Sequence, residues 1–206
     1  MSSGKKIAVL ASGRGSNFQA LLESIAAGKI NGHCVAMITD NKDAFAIERA
    51  KQAGIPVIVH HFKDYPSRDD YEKDLLSSMQ KTGADLFVCA GYMRIIGAEI
   101  ANTFAGKMIN IHPALLPSFP GLHGQKQALD YGVKIAGCTV HFVDAGVDSG
   151  PVIVQRAVPV LDDDTEDSLS DRILEQEHIA YTEAVSLFCE DRLRIEGRHV
   201  RVLPRT

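Results

Sequence analysis

The sequence predicts an α/β protein: a single domain on a Rossmann-like, mostly parallel sheet with helices on both faces. Three observations carry the prediction. Short unbroken apolar runs such as Ile7 to Ala11 recur along the first half, and runs of that length mark strands covered on both faces. Between them lie segments of helical periodicity, closed by Gly54 and Gly83. Strands alternating with helices of about ten to fifteen residues require right-handed crossovers, which build a parallel sheet.

The elements follow in order. Ile7 to Ala11 is the first strand. Phe18, Leu21, Leu22 and Ile25 recur at helical spacing, with Asn17 before them as the expected N-cap. Val35 to Thr39 is the second strand, Ala44 to Ala53 a helix, and Val57 to Val59 the third strand, after Pro56. Ser67, with Asp70 three residues on, resembles a capping box for a helix carrying Tyr71, Leu75, Leu76 and Met79. Leu86 to Ala90 is a fourth buried strand. Met108 to Ile111 is a fifth, and it enters the Pro- and Gly-rich loop HPALLPSFPGLHG. A helix over Gln125 to Tyr131 comes next, then strands over Cys138 to Val143 and Val152 to Val160. A long helix runs from Thr165 to Phe188, and its acidic start suits the positive end of the helix dipole. Short strands around Leu193 and Val200 close the series. Ligands of such sheets bind beyond the carboxyl ends of the strands. The loops after Ala11, Thr39, Ala90 and Ile111 therefore form the functional rim.

With 206 residues, 45% hydrophobic and 23% charged, the chain can bury a full core, and one domain over 1–206 is expected. Net charge is -4 with no long basic run. That argues against a nucleic-acid partner, because gripping a phosphate backbone needs a basic footprint. No segment has the length to span a bilayer or the pattern of a signal peptide. Cys34, Cys89, Cys138 and Cys189 lie far apart and form no CxxC pair. They read as reduced thiols of a cytoplasmic protein, and no metal is expected.

Ser12-Gly13-Arg14-Gly15-Ser16-Asn17 lies between a buried strand and a helix start. Free amides and the helix dipole favour an anion there, although a plain structural turn is common at this place. A dinucleotide site is the rival. Gly13 and Gly15 fit its pattern and Asp40 could hold a ribose, but Phe18 stands where the third glycine belongs. Asn110 and His112 are two apart at a strand end, so both side chains face one spot above the rim. Asp148 sits in the turn Asp144-Ala145-Gly146-Val147-Asp148-Ser149-Gly150-Pro151. Taken singly, these residues read as readily as a cap, a satisfied core histidine and a solvated aspartate, and His141 is equally ambiguous. Only the combination points to chemistry.

That combination carries a resemblance. NIHPALLPSFPGLHGQKQALDYG followed by GCTVHFVDAGVDSGPVI closely resembles the folate-dependent formyltransferases. SGRGSN, DNKDAFAIERAKQAGIPV and AGYMRII resemble one branch of them, the phosphoribosylglycinamide formyltransferases, and the match runs from Ile7 to Phe188. The resemblance implies transfer of a formyl group from the cosubstrate 10-formyltetrahydrofolate to the amine of N1-(5-phospho-D-ribosyl)glycinamide, or glycinamide ribonucleotide, in purine biosynthesis. It implies a catalytic trio. Asn110 and His112 would stabilise charge on the formyl oxygen, and Asp148 would orient the imidazole and favour imidazolium. Gly15, Ser16 and Asn17 would hold the phosphate and Glu177 the ribose. Arg68, Met93, Arg94, Ile95, Ile96 and Asn110, with Asp144, Ala145, Gly146, Val147 and Asp148, would line the folate pocket. The N-terminal half would then bind phosphate, and the C-terminal half would carry catalysis and most of the folate site. Leu174 departs from the family, in which a polar or basic residue often stands near the phosphate. The resemblance implies a monomer or homodimer acting on small molecules, without nucleic acid, membrane or metal. Among the rivals, a 10-formyltetrahydrofolate hydrolase resembles the chain less at SGRGSN. A methionyl-tRNA formyltransferase needs a further domain and a basic surface, and a dehydrogenase leaves NIHPALLP unexplained.

Overall fold

The computed structural model describes residues 4–205; residues 1–3 and 206, the outermost positions of the expected domain and of the N-terminal stretch, lie outside the described residues. Its strands are β1 (Lys5–Leu10), β2 (Gly32–Thr39), β3 (Val57–Val59), β4 (Leu86–Cys89), β5 (Met108–His112), β6 (Ile135–Phe142), β7 (Val152–Pro159), β8 (Leu193–Glu196) and β9 (His199–Val202). They join in one sheet, in the order β3-β2-β1-β4-β5-β6-β7-β9-β8. The first five run parallel, whereas β6 reverses against β5 and β7 against β6. Helices α1 (Ser16–Ala26), α2 (Ala46–Gln52), α3 (Arg68–Thr82), α4 (Ala98–Thr103), α5 (Gly124–Tyr131) and α6 (Glu166–Cys189) cover the sheet.

β1 shows why both faces must be covered. Ile7, Val9 and Ala11 join a core with Phe18 and Leu21 of α1, Ala46 and Ala50 of α2, and Ile173 and Tyr181 of α6. Ala8 and Leu10 join a second core with Tyr71, Leu75 and Met79 of α3 and Ile100 of α4. Successive strand residues point to opposite faces. A run with no polar residue in either register leaves no face for water, and a helical layer closes each one.

The other expected elements are present, with ends that shift by a few residues. Ser67 caps α3, its Oγ accepting the Asp70 amide at 3.1 Å, and Gly83 ends that helix in the left-handed conformation. Thr165 and Ser168 form a capping box on α6. Two pieces were not expected: α4 and a 3-10 turn over Phe62–Asp64. α4 has six residues and buries only Ile100 and Ala101, too short a stretch to display helical periodicity. The reading of Asn17 as an N-cap is corrected. Gly15 takes the cap position at φ 69°, ψ 34°, a left-handed turn that glycine adopts without strain. Asn17 falls inside the first turn, and its side chain bonds to Glu177 instead.

The strand order reverses between β1 and β4, since the chain winds outward to β2 on one side and to β5 on the other. A crevice opens above the carboxyl ends at such a switch point, where open α/β sheets bind ligands. Tyr181 of α6 is buried beneath it, and its hydroxyl donates to the carbonyls of Cys89 at 2.7 Å and Ile109 at 3.2 Å. One side chain thus ties the ends of β4 and β5 to the longest helix. Among the described residues no helix is long and apolar enough to cross a membrane.

Candidate active site

A cavity of about 620 Å³ opens over this crevice. Asn17 and Glu177 form a buried polar part of its lining. Met93, Arg94, Ile95 and Ile96 line it together with Asp144, Gly146, Val147 and Asp148, as do Asn110, His112 and His141. The spacing of Asn110 and His112 on β5 does bring both to one wall.

His112 is buried at 4% exposure. Its Nδ1 lies 3.4 Å from Asp148 Oδ2 and its Nε2 lies 2.8 Å from the Phe119 carbonyl oxygen. Acceptors flank both nitrogens, and only an imidazolium donates to both at once. Asp148 Oδ2 also accepts the Gly121 amide at 2.8 Å. Its Oδ1 lies 3.7 Å from His141 Nε2, beyond hydrogen-bond distance. Burial pushes the Asp148 carboxyl up; His141, the Gly121 amide and His112 outweigh burial and hold it below the usual carboxylate range. His141 Nδ1 lies 2.9 Å from the Phe142 carbonyl oxygen. Asn110 Nδ2 lies 3.3 Å from His141 Nε2, and its second amide hydrogen is left for a ligand.

Two segments hold this group in place. The strap from Pro113 to His123 supplies the Phe119 carbonyl to His112 and the Gly121 amide to Asp148. Phe119 at φ 54° and His123 at φ 61° occupy the left-handed region, uncommon for side chains of that bulk and a form of strain that gathers at functional sites. The turn carrying Asp148, itself at φ 50°, presses against β6 at Gly150, where a Cβ would run into the Phe142 carbonyl oxygen.

At the polar end, Asn17 Nδ2 donates to Glu177 Oε2 at 2.8 Å. Both residues are more than nine-tenths buried, and Asn17 Oδ1 has no partner among the described residues. Burial raises the Glu177 carboxyl, and the Asn17 bond offsets only part of that rise. Gly15 and Ser16 lie beside the cavity wall rather than on it. Two bonds latch their loop to α2: the Ala46 amide to the Gly13 carbonyl at 3.1 Å, and Arg49 Nε to the Arg14 carbonyl at 2.8 Å.

At the other end, Met93 and Ile95 are 62% and 65% exposed. Arg68 is not on the wall. Glu72, one helical turn away, captures its Nε at 2.7 Å, and its Nη2 reaches the Ile95 carbonyl at 3.4 Å from outside. Ala145 is also off the wall, whereas Asp144, Gly146, Val147 and Asp148 of the same turn are on it. Arg94 reaches the wall while its Nε is held by Asp40 at 3.0 Å and its guanidinium lies over the Phe62 ring. Asp40 also accepts from Ser12 Oγ. Asp40 is nearly buried and does not line the cavity, so it is not placed to hold the ribose of a dinucleotide there. Tyr92, Leu122, His123 and His141 also line the cavity and were not singled out beforehand as ligand-facing. For His141 the deciding fact is cross-strand register, which sets it opposite Asn110.

The profile of the formyl transferase family matches residues 5–185. The trifunctional purine biosynthetic protein adenosine-3 of Drosophila melanogaster is 47% identical over 185 residues, which are 89% of this chain and 14% of that protein. The chain thus spans a small part of the longer relatives it matches. The phosphoribosylglycinamide formyltransferase of Escherichia coli (strain K12) is 41% identical over 92% of this chain and 89% of its own length. A crystal structure of glycinamide ribonucleotide transformylase 1 from Symbiobacterium toebii superposes with a TM-score of 0.96 at 48% identity, covering 99% of this chain and 96% of that one. On the matched residues 5–185 and this shared architecture, the chain belongs to the formyl transferase family.

Proposed function

We propose that this protein transfers the formyl group of 10-formyltetrahydrofolate to the amine of N1-(5-phospho-D-ribosyl)glycinamide, a step of purine biosynthesis. One observation carries the reading: a single cavity is lined by the buried polar pair Asn17 and Glu177, by the exposed apolar side chains of Met93 and Ile95, and by Asn110 with His112. The name of the similar E. coli enzyme supports the same acceptor and the same transferred group. The acceptor's phosphate would meet the amides of Gly15, Ser16 and Asn17 at the positive end of α1, and its ribose hydroxyls would meet Glu177. The flat ring of the donor suits the exposed side chains of Met93, Ile95, Leu122 and Val147.

Attack of the amine on the formyl carbon builds negative charge on the formyl oxygen. Asn110 donates its free amide hydrogen to that oxygen, and the His112 imidazolium adds a charged donor. To do so, one His112 N–H exchanges its protein acceptor for the formyl oxygen, and the longer contact, to Asp148, is the weaker of the two. Asp148 then balances the charge of the ring. The attacking nitrogen loses one proton and the departing folate nitrogen gains one, which is general acid–base work within hydrogen-bond reach of the trio. A covalent thiol intermediate is disfavoured, because burial pushes Cys89 and Cys138 up to about 12. The same reading takes residues 1–206 as one formyltransferase unit, a monomer or homodimer of the reducing cytoplasm.

The test is tetrahydrofolate release from 10-formyltetrahydrofolate with and without glycinamide ribonucleotide, with the formylated product identified by mass. Release that depends on the acceptor supports the proposal. Release at the same rate without it would make the protein a hydrolase and sink the transfer reading.

A further inference from the structure

Asp40 is a nearly buried carboxylate, 7% exposed, that the proposed chemistry does not use. It follows β2 directly and does not line the cavity. We propose that Asp40 is a positioning residue: acting through Ser12 and Arg94, it fixes the backbone of residues 91–96 that shapes the donor end of the cavity. The proposal rests on the folate reading of that end.

The loop between Cys89 and Ala98 has no helix or strand of its own to hold it. It is attached instead at three points around Asp40. The Ser12 amide donates to the Gly91 carbonyl at 3.0 Å. The Met93 amide donates to Ser12 Oγ at 2.9 Å, and that hydroxyl in turn donates a hydrogen bond to Asp40 Oδ1. Arg94 Nε donates to Asp40 Oδ2 at 3.0 Å, with its guanidinium 4.4 Å from the centre of the Phe62 ring. Two further bonds brace the support itself: Asn41 Nδ2 to the Ser12 carbonyl at 3.1 Å, and His61 Nδ1 to the Asp40 carbonyl at 3.2 Å.

This arrangement needs an acceptor at both oxygens of residue 40. A carboxylate supplies two; an amide supplies one acceptor and one donor. In Asp40→Asn, either the Ser12 hydroxyl or the Arg94 guanidinium meets an N–H, and that side of the clamp opens. The anion loop is spared, because Gly13 and Arg14 are latched separately to Ala46 and Arg49. Asp40 therefore acts on the donor end and leaves the acceptor end unchanged.

The experiment compares the parent, Asp40→Asn and Ser12→Ala by steady-state kinetics in both substrates and by amide hydrogen exchange. Arg94 is 42% exposed at its side chain, so solvent screens its pairing, and the expected rise in donor KM for Asp40→Asn is about tenfold, or about 1.4 kcal/mol. Ser12→Ala, which frees the Met93 amide but keeps the Arg94 pair, should give a smaller rise in the same direction. Acceptor KM and kcat should stay within about threefold of the parent. Amides of residues 91–97 should exchange at least about tenfold faster in Asp40→Asn, while those of α1 should not change. An unchanged donor KM, unchanged exchange at 91–97, or equal loosening of both substrates and of α1 overturns the proposal. Exchange needs no substrate, so it decides the clamp even if the parent transfers no formyl group and the functional reading fails.

Discussion

Replacing Gly15 with alanine puts a methyl group where the loop and helix α2 leave no room. The Cβ would lie 2.8 Å from Ala46 Cβ and 3.2 Å from Ala46 Cα. Ala46 is fully buried and its amide holds the Gly13 carbonyl. The left-handed backbone at φ 69° costs an L-residue about 1–2 kcal/mol. Forcing a methylene-sized group into a packed contact costs about 1–3 kcal/mol more. Relief requires the first turn of α2 to move, which breaks the Gly13–Ala46 bond and turns the loop amides off their aim. If only half of the combined cost falls on the ligand, acceptor affinity drops about tenfold, since each decade is about 1.4 kcal/mol. Gly13→Ala is the control: its backbone is not left-handed and a Cβ there meets nothing within 4 Å, so stability should change by about 0.5 kcal/mol or less. The assay is calorimetric titration of parent and both variants with glycinamide ribonucleotide and, separately, with tetrahydrofolate. Gly15→Ala should lose the first ligand and keep the second. Parent-like binding of the ribonucleotide by Gly15→Ala, or equal loss of both ligands, refutes the reasoning.

His112→Ala should lower kcat by about 10²–10⁴-fold with both KM values nearly unchanged, as expected for a group acting mainly in the transition state; a kcat within a few-fold of the parent removes His112 from the chemistry. Asp148 has its folded carboxyl held below the ordinary 3.8, so its stabilisation is present above that value and lost as pH falls through the lower, folded one. Asp148→Asn should therefore unfold at lower temperature than the parent at neutral pH, with the gap closing in strong acid; a gap constant with pH contradicts the assignment. Glu177 is the opposite case. Burial raises its folded carboxyl above 4.5, so its favourable contribution is complete below that value and is lost as pH rises through the folded one. Glu177→Gln keeps an acceptor for Asn17 and should raise Tm at neutral pH but not below 4.5, and an equal rise at both would point to a cause other than ionisation.

Much of this protein was legible in its residue pattern. β1 announced itself because the five apolar residues Ile7 to Ala11, in two registers, cannot leave either face to water, and α3 because Ser67 and Gly83 bracket it with local capping chemistry. The turn around Asp148 and the pairing of Asn110 with His112 stood out through motif and strand period. Direction did not. Nothing in the apolar runs of β6 and β7 says that they oppose β5 and each other, because a period of two is the same read either way.

What the sequence determined by itself were the properties set within a few residues: strand or helix, caps, the glycine loop, and the spacing that puts Asn110 and His112 on one wall. What only the tertiary structure decided were the partners. Asn17 obeyed no local capping rule because Glu177, 160 positions away, offered its amide a buried carboxylate. His141 meets Asn110 through cross-strand register, and the Phe119 carbonyl that accepts from His112 carries no side-chain signature. Asp40 looked like a ribose ligand until the loops after β1 and β4 closed around both its oxygens. The physical reason is common to all four: burying a polar group is costly unless it is paired, and the partner is selected by packing across the fold rather than by sequence neighbours.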